Sequence, residues 1–341
     1  MAGSLTMLRT RMLLAASACL ALLLLGGAAR DSMRSANSCA GQWGSLSCAG
    51  LAGAHSGASA LRLIPFTGSN LLTAPMAEAA SAPNDGGKRM RLGFVTYNIA
   101  KDWDLPSIIE KCKATGFEGV ELRTTHAHGV EITLTPEQRA AVRKQFEESG
   151  IVLAGLGTTC EYHNPDPAQV RRNIEETKEW VKLAADLGCP GVKVRPNGLP
   201  EGVPVEKTLE QIGLALRECG EFAQQYGVQI RLEVHGGGTS LVPNVRKILD
   251  YANQPYVWVC WNSNDSDLSG DGLEANFNLV ADRIGSVHMR DLYIENYPWR
   301  QLLSLLKKSG FTGFCLAEIQ GSPDPERVLK YYRALWLELQ R

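Results

Sequence analysis

The chain has 341 residues, of which 44% are hydrophobic, and its formal net charge is -1 at pH 7. This near-neutral balance gives no global reason to expect nucleic acid or an anionic membrane surface as a partner. The length and composition fit a soluble globular protein with one large domain and a tail, or with two domains.

The N-terminal segment has the pattern of an export signal. Arg9 and Arg11 precede an apolar run over residues 12–29, which ends in small residues. This order is typical of a secretory signal peptide over residues 1–29. The alternative is an uncleaved membrane anchor, because the run is close to the roughly 18 apolar residues of a spanning helix. Both interpretations predict an exported protein, periplasmic or secreted, and the second adds a membrane tether.

Residues 30–89 are rich in Ser, Ala, Gly and Pro and show no sustained periodicity. We interpret them as a disordered, low-complexity linker. The nine cysteines of the chain form no CxxC pair, so a zinc finger is not expected. Export would permit disulfides, but the cysteines beyond residue 89 lie mostly in apolar contexts, which favours buried free thiols.

From residue 90 onward, predicted strands alternate with predicted helices. The strands are expected over residues 91–98, 117–123, 151–158, 189–197, 227–236, 256–262, 284–291 and 312–321. The helices are expected over residues 105–116, 135–150, 166–188, 205–226, 244–252, 273–282, 299–310 and 324–339. Eight such units in about 250 residues predict an α/β fold, a (β/α)8 TIM barrel over residues 90–341. A doubly wound open sheet is the rival, but no glycine-rich phosphate loop follows the first strand.

Donor side chains stand at the ends of four consecutive predicted strands. They are Glu233, Asn262, His288 and Glu318. Because the carboxyl ends of barrel strands converge on one rim, we expect these side chains to meet. Two carboxylates, an amide oxygen and an imidazole suit one divalent metal ion, such as Mn²⁺, Mg²⁺, Co²⁺ or Zn²⁺.

Four motifs carry a resemblance to a known family: GFEGVEL, LEVHG, SVHMRD and GFTGFCLAEIQG. With them, residues 91–339 resemble the xylose-isomerase-like barrels, which include sugar isomerases, ketose 3-epimerases and inosose dehydratases. The resemblance implies one metal ion held by Glu233, Asn262, His288 and Glu318. It also implies that Glu233 and Glu318 are catalytic, exchanging a proton with the substrate from opposite sides through an enediolate.

Asn262 departs from the family pattern, which often has aspartate there and histidine three residues later. Here these positions are Asn262 and Asp265. An amide oxygen still coordinates a hard cation but carries no charge, so metal binding should be weaker. The alternative is that Asn262 only caps the turn that follows it.

Further rim residues are predicted to bind substrate. They are Arg195, His235, His128, Asp265 and Asp291. Lys193 lies beside Arg195 on the fourth strand and is expected near the same mouth. Glu121 and Arg123 are interpreted as a structural pair at the end of the second strand.

The leading function is a metal-dependent isomerase or epimerase of a sugar or keto-sugar. The alternatives are a lyase or dehydratase on a keto-sugar or glycoside derivative, and a carbohydrate-binding barrel without catalysis. The expected partner is a small sugar, unphosphorylated because the protein is exported. Nucleic acid is not expected, since the chain lacks a basic surface signature. An oligomer is compatible with the sequence, which shows no interface.

Overall fold

The computed structural model describes residues 89–341. The predicted signal or anchor over residues 1–29, and all but the last residue of the predicted linker over 30–89, lie outside the described residues. Among the helices of the described part, none is long and apolar enough to cross a membrane.

Eight parallel strands form a closed barrel in sequence order. They are β1 (Arg91–Val95), β2 (Gly119–Arg123), β3 (Val152–Glu161), β4 (Gly191–Arg195), β5 (Gln229–Glu233), β6 (Val257–Asn262), β7 (Ile284–Met289) and β8 (Phe314–Ala317). The first and last strands close the ring, with Arg91 opposite Phe314 and Gly93 opposite Leu316. The predicted (β/α)8 barrel is therefore confirmed.

A helix follows each strand. The helices are α1 (Leu105–Thr115), α2 (Pro136–Ser149), α3 (Pro167–Leu187), α4 (Val205–Gln224), α5 (Val242–Ala252), α6 (Gly272–Asn278), α7 (Trp299–Lys308) and α8 (Pro325–Leu339). Helix α2 begins with a capping box between Thr135 and Gln138, which satisfies two backbone N–H groups that the first turn leaves free. It ends at Gly150, whose φ of 73° is the left-handed conformation that glycine adopts without steric cost.

Several element boundaries differ from the sequence-based expectation, and most strands are shorter than expected. The helix expected over residues 273–282 ends at Asn278, and a short 3₁₀ turn over Ala281–Arg283 leads into β7. Strand β3 runs on to Glu161, beyond the expected end at residue 158. This extension matters because it carries Glu161 up to Arg195 at the end of β4.

The barrel strands bury both apolar and charged side chains. A small apolar cluster is formed by Val95, Ala154, Phe314 and Leu316. Buried charged and titratable side chains also lie on the strands: Glu121, Lys193, Glu233 and His288. Such residues are rarely fully buried unless they are paired, so this group indicates a site. The cysteines of the described part are free and buried, as the sequence predicted.

Candidate active site

Three predicted ligands come together at the carboxyl end of the barrel. Glu233 ends β5, His288 lies within β7, and Glu318 follows β8 directly. The Nδ1 atom of His288 lies 3.5 Å from Glu233 Oε1 and 3.5 Å from Glu318 Oε2. One donor atom from each residue lies within 4.8 Å of the other two, a spacing that could hold a metal ion. The ring nitrogen at the centre of this cluster is buried and has no hydrogen-bond partner.

Glu121 orients the histidine from the opposite side. Its Oε1 atom lies 3.1 Å from His288 Nε2, and both side chains are fully buried. A carboxylate behind an imidazole fixes the ring and its tautomer, so that the other nitrogen faces a metal. The expected pair of Glu121 with Arg123 is not formed. Glu121 lies deeper in the barrel, where His288 is its partner, while the Arg123 guanidinium lies 4.9 Å from the centre of the Tyr97 ring.

Both oxygens of Glu233 have partners. The Nζ atom of Lys193 donates to Glu233 Oε2 at 2.8 Å, and the Nδ2 atom of Asn262 donates to Oε1 at 3.2 Å. Lys193 and Glu233 form a buried ion pair, with side chains 6% and 4% exposed. The charge of Glu233 is thus compensated by protein groups, and its position is fixed.

The buried charges shift one another's protonation. Burial works against an ionised Glu233, but the nearby Lys193 charge and His288 hold the pKa of that carboxyl well below its usual value. Burial likewise works against a charged imidazole, yet Cys260, Glu121 and Glu318 raise the pKa of His288 well above its usual value. A metal ligand must be a neutral imidazole, so a proton and a metal ion compete for His288 Nδ1.

The residues present fit a divalent cation. The unpartnered Nδ1 of His288 and the oxygens of Glu233 and Glu318 make up a nitrogen and carboxylate set that suits Zn²⁺ or Mn²⁺. Asn262 borders this cluster through Glu233 and presents its amide nitrogen to it. A half-turn of the amide would present the oxygen, which is the atom that a cation requires.

A cavity of about 350 Å³ opens above these residues. Its wall is formed by Tyr97, Arg123, Lys193, Arg195, Glu233, His235, Asn262, Asn264 and Glu318. This volume is at the lower end of the range of small-molecule sites, about 300–1,000 Å³, and suits a ligand of monosaccharide size.

The other residues predicted to bind substrate divide into two groups. Arg195 and His235 line the cavity, and Arg195 forms an ion pair with Glu161. His128 does not line it, because its Nε2 bonds the carbonyl of Arg123 and its Nδ1 accepts the N–H of Val130.

The structure also places both predicted aspartates outside the cavity wall. Asp265 is 70% exposed and forms an ion pair with Arg290 at 2.5 Å. Asp291 follows β7 and is partly buried, and burial raises the pKa of its carboxyl.

Sequence reasoning did not give Glu121 a role in the site, nor did it select Tyr97 or Asn264. Glu121 had a signal: it is a single charge inside the otherwise apolar segment GVEL of β2. For Asn264 the sequence offers no signal beyond its place in a polar turn. In the structure its amide donates to the carbonyl of Val234. Tyr97 follows β1 in a turn, and nothing local distinguishes it from a surface residue.

Known proteins resemble this chain in sequence and in fold. An inosose isomerase of Halalkalibacterium halodurans is 24% identical over 249 residues, which are 67% of this chain and 88% of that protein. The structure of a D-psicose 3-epimerase from Clostridium cellulolyticum H10 with D-tagatose matches at a TM-score of 0.63 and 14% identity, over 73% of this chain and 99% of that one. A zinc-bound IolI protein matches at a TM-score of 0.61 and 19% identity, over 73% and 96%. At these identities the two structures show a shared fold.

The family itself is settled by the sequence. The pattern of the xylose isomerase-like TIM barrel matches residues 109–338, well over half of the chain. The matched residues include β5, β7 and β8, which position Glu233, His288 and Glu318. The TIM barrel of this family is also the fold that the structure has. The chain therefore belongs to the xylose isomerase-like TIM barrel family.

Proposed function

We propose that this chain is a metal-dependent isomerase or epimerase of a sugar or keto-sugar, acting through an enediolate intermediate. The observation that carries the proposal is the Glu233–His288–Glu318 cluster, with its unpartnered ring nitrogen, at the carboxyl end of the barrel. The names of the relatives, an inosose isomerase and a D-psicose 3-epimerase, support this class of reaction.

The metal would be held by Glu233, His288 and Glu318, with Asn262 as a neutral fourth donor. A divalent cation bound there would polarise the carbonyl of an α-hydroxycarbonyl sugar and favour negative charge on its oxygens. The protein side chains would orient the sugar, exclude water and transfer the proton.

Glu318 is the better placed of the two carboxylates to remove the proton. Its side chain is 25% exposed and lines the cavity, whereas Glu233 is 4% exposed and held by Lys193 and Asn262. Glu318 takes the proton beside the carbonyl and later releases it to solvent. For epimerisation, Glu233 takes up a proton before the reaction and returns it from the other side of the substrate. Lys193 fixes the position of Glu233 by donating a hydrogen bond to Oε2.

The substrate is a free sugar if the protein is exported. Export rests on the pattern of residues 1–29 in the sequence. Phosphorylated sugars are kept in the cytosol, so an exported enzyme of this class would act on an unphosphorylated keto-sugar.

Proton exchange in heavy water tests the proposed reaction. The full-length chain is loaded with Mn²⁺ or Zn²⁺ and incubated with D-fructose, D-psicose and D-tagatose, and NMR follows deuterium entry beside the carbonyl. We expect exchange in at least one sugar, reduced about 100-fold or more in Glu318→Gln and in Glu233→Gln. The matched control is Glu148→Gln, because Glu148 is exposed on helix α2 and pairs with Lys144.

Elemental mass spectrometry of the same samples tests the metal. About one ion per wild-type chain is expected, with loss of the ion in the Glu318→Gln and Glu233→Gln variants and not in the control. Retention of one ion without exchange in any of the sugars would contradict an isomerase or epimerase of these ketoses.

A further inference from the structure

Arg123 carries a positive charge that no carboxylate in the described part of the chain neutralises. It ends β2, and its guanidinium lies over the ring of Tyr97, which is 39% exposed. It forms no hydrogen bond or ion pair through its side chain with any residue from 89 to 341. Its backbone N–H donates to Thr96 Oγ1 at 3.0 Å, which fixes the base of the side chain at the cavity wall.

The other cations of the cavity are already paired. Lys193 is bound to Glu233, and Arg195 is bound to Glu161. A divalent cation in the metal cluster would balance the charges of Glu121 and Glu318. The charge of Arg123 then remains, so the loaded cavity has one net positive charge and suits an anionic ligand.

Two buried nitrogen atoms on the cavity wall also lack partners, which supports a polar ligand there. The Nε atom of Arg195 and the Nδ1 atom of His235 are buried and have no hydrogen-bond partner. Buried polar groups are normally satisfied, so a ligand with several acceptor oxygens would complete them. Strands β2 and β6 lie opposite each other in the eight-stranded ring, which places Arg123 across the mouth from Asn262.

We infer that the substrate carries a carboxylate group and that Arg123 binds it. The inference rests on the proposed function for the reacting end of the sugar. That end faces Glu318 and His288, while the carboxylate lies against the guanidinium, which can donate two parallel hydrogen bonds to it. The substrate class is thus a sugar acid: a uronate, or a keto-sugar oxidised at one end.

Matched pairs of sugars that differ only in a carboxylate test this inference. The probes are D-glucuronate against D-glucose, D-galacturonate against D-galactose and 5-keto-D-gluconate against L-sorbose. Calorimetry at constant ionic strength measures their binding to the metal-loaded, full-length chain. We expect at least one acid to bind about tenfold or more tightly than its neutral partner.

Three variants assign that preference to one residue. In Arg123→Gln the acid should bind no more than about twofold more tightly than the neutral sugar, because the charge is lost. Arg123→Lys should retain part of the preference, since it keeps the charge without the planar fork. Arg143→Gln is the matched control, because Arg143 pairs with Glu147 on the outside of α2. It should keep the full preference.

The outcomes separate this inference from the proposed function. If no acid binds more tightly than its neutral partner, or if the preference survives Arg123→Gln, the carboxylate subsite is wrong. Deuterium exchange with neutral keto-sugars would leave the isomerase proposal standing in that case. An acid preference that depends on Arg123, with no exchange in any sugar or acid, would instead retain the subsite and overturn the reaction.

Discussion

At the scale of single residues, Glu121 determines whether His288 is a usable ligand. It is the only hydrogen-bond partner of the ring nitrogen that faces away from the metal cluster in the described structure. We expect Glu121→Gln to lower the affinity for Mn²⁺ or Zn²⁺ about tenfold, because the ring loses its anionic anchor. Titration of the metal-free chain measures this, with Glu148→Gln as the control. Wild-type affinity in Glu121→Gln would show that His288 is oriented by packing alone.

Asn262 is the residue at which this chain departs from the family pattern. Its replacement by aspartate should change both metal affinity and the stability of the metal-free protein. An aspartate at this position adds a negative charge beside Glu233, whose Oε1 is 3.2 Å from the amide nitrogen. We expect Asn262→Asp to tighten divalent metal binding about tenfold, since ligand charge sets affinity in such sites. The same variant should melt at a lower temperature without metal, because two carboxylates then repel each other.

Metal titration and thermal melting with and without Zn²⁺ check both parts of this expectation. The control is Asn278→Asp, which adds the same charge at an exposed position of helix α6. If Asn262→Asp binds metal no better than the wild type, Asn262 serves the turn that follows it and is not a ligand.

At the scale of elements, strand β3 makes room for the Glu121 side chain of β2. A Cβ atom at Gly155 would lie 2.9 Å from Glu121 Oε2, and one at Gly157 would lie 3.0 Å from Oε1. Neither glycine has a positive φ, so the backbone does not require glycine at these positions. What they provide is the space that a side chain would otherwise fill. The small residues of the GLG segment in β3 thus permit a buried carboxylate to stand between two strands.

We expect Gly155→Ala to displace Glu121 and to destabilise the fold by about 1–3 kcal/mol, as overpacked cores do. Metal affinity should fall in the same variant, because His288 loses its anchor. Gly321→Ala is the control, since a Cβ there meets no atom closer than 3.9 Å. Urea unfolding and metal titration give the two quantities. Loss of stability with unchanged metal affinity would mean that Glu121 adapts without moving away from the histidine.

The elements themselves could be predicted from the sequence, but their side-chain partners could not. Alternating apolar runs and capped helices specify eight strand–helix units, and glycines such as Gly150 mark where helices end. The convergence of Glu233, His288 and Glu318 follows from the barrel rule that strand ends meet. Glu121 was missed because its partner His288 is 167 residues away, and no local pattern records that contact.

At the scale of the whole molecule, the polar network behind the site connects stability to pH. Asp267 is fully buried in the 3₁₀ turn Asp265–Leu268 that follows β6. Its Oδ2 accepts hydrogen bonds from Tyr297 Oη at 2.6 Å and from the N–H of Asn264 at 3.0 Å. Its Oδ1 has no partner. Burial raises the pKa of this carboxyl to about 7, against the opposing effect of the Tyr297 hydrogen bond.

The direction of the pH dependence follows from this shift. Well below pH 4 the carboxyl is protonated in both the folded and the unfolded chain, and Asp267 adds no pH dependence. Between about pH 4 and pH 7 the unfolded chain loses the proton while the folded chain keeps it, so the free energy of unfolding falls as pH rises. A raised pKa of about 7 against the ordinary value of 3.8 makes this fall roughly 4 kcal/mol.

Asp267→Asn isolates this contribution, because the amide resembles the protonated acid and its oxygen can accept the same two hydrogen bonds. The measurement is the free energy of unfolding in urea at pH 4, 5, 6, 7 and 8 for both proteins. We expect the variant to become more stable relative to the wild type as pH rises, by roughly 4 kcal/mol in all, with most of the change between pH 4 and 7. Subtracting the two curves removes the histidines that titrate in the same window. A difference that does not vary with pH would show that Asp267 ionises in the folded protein as it does in the unfolded chain.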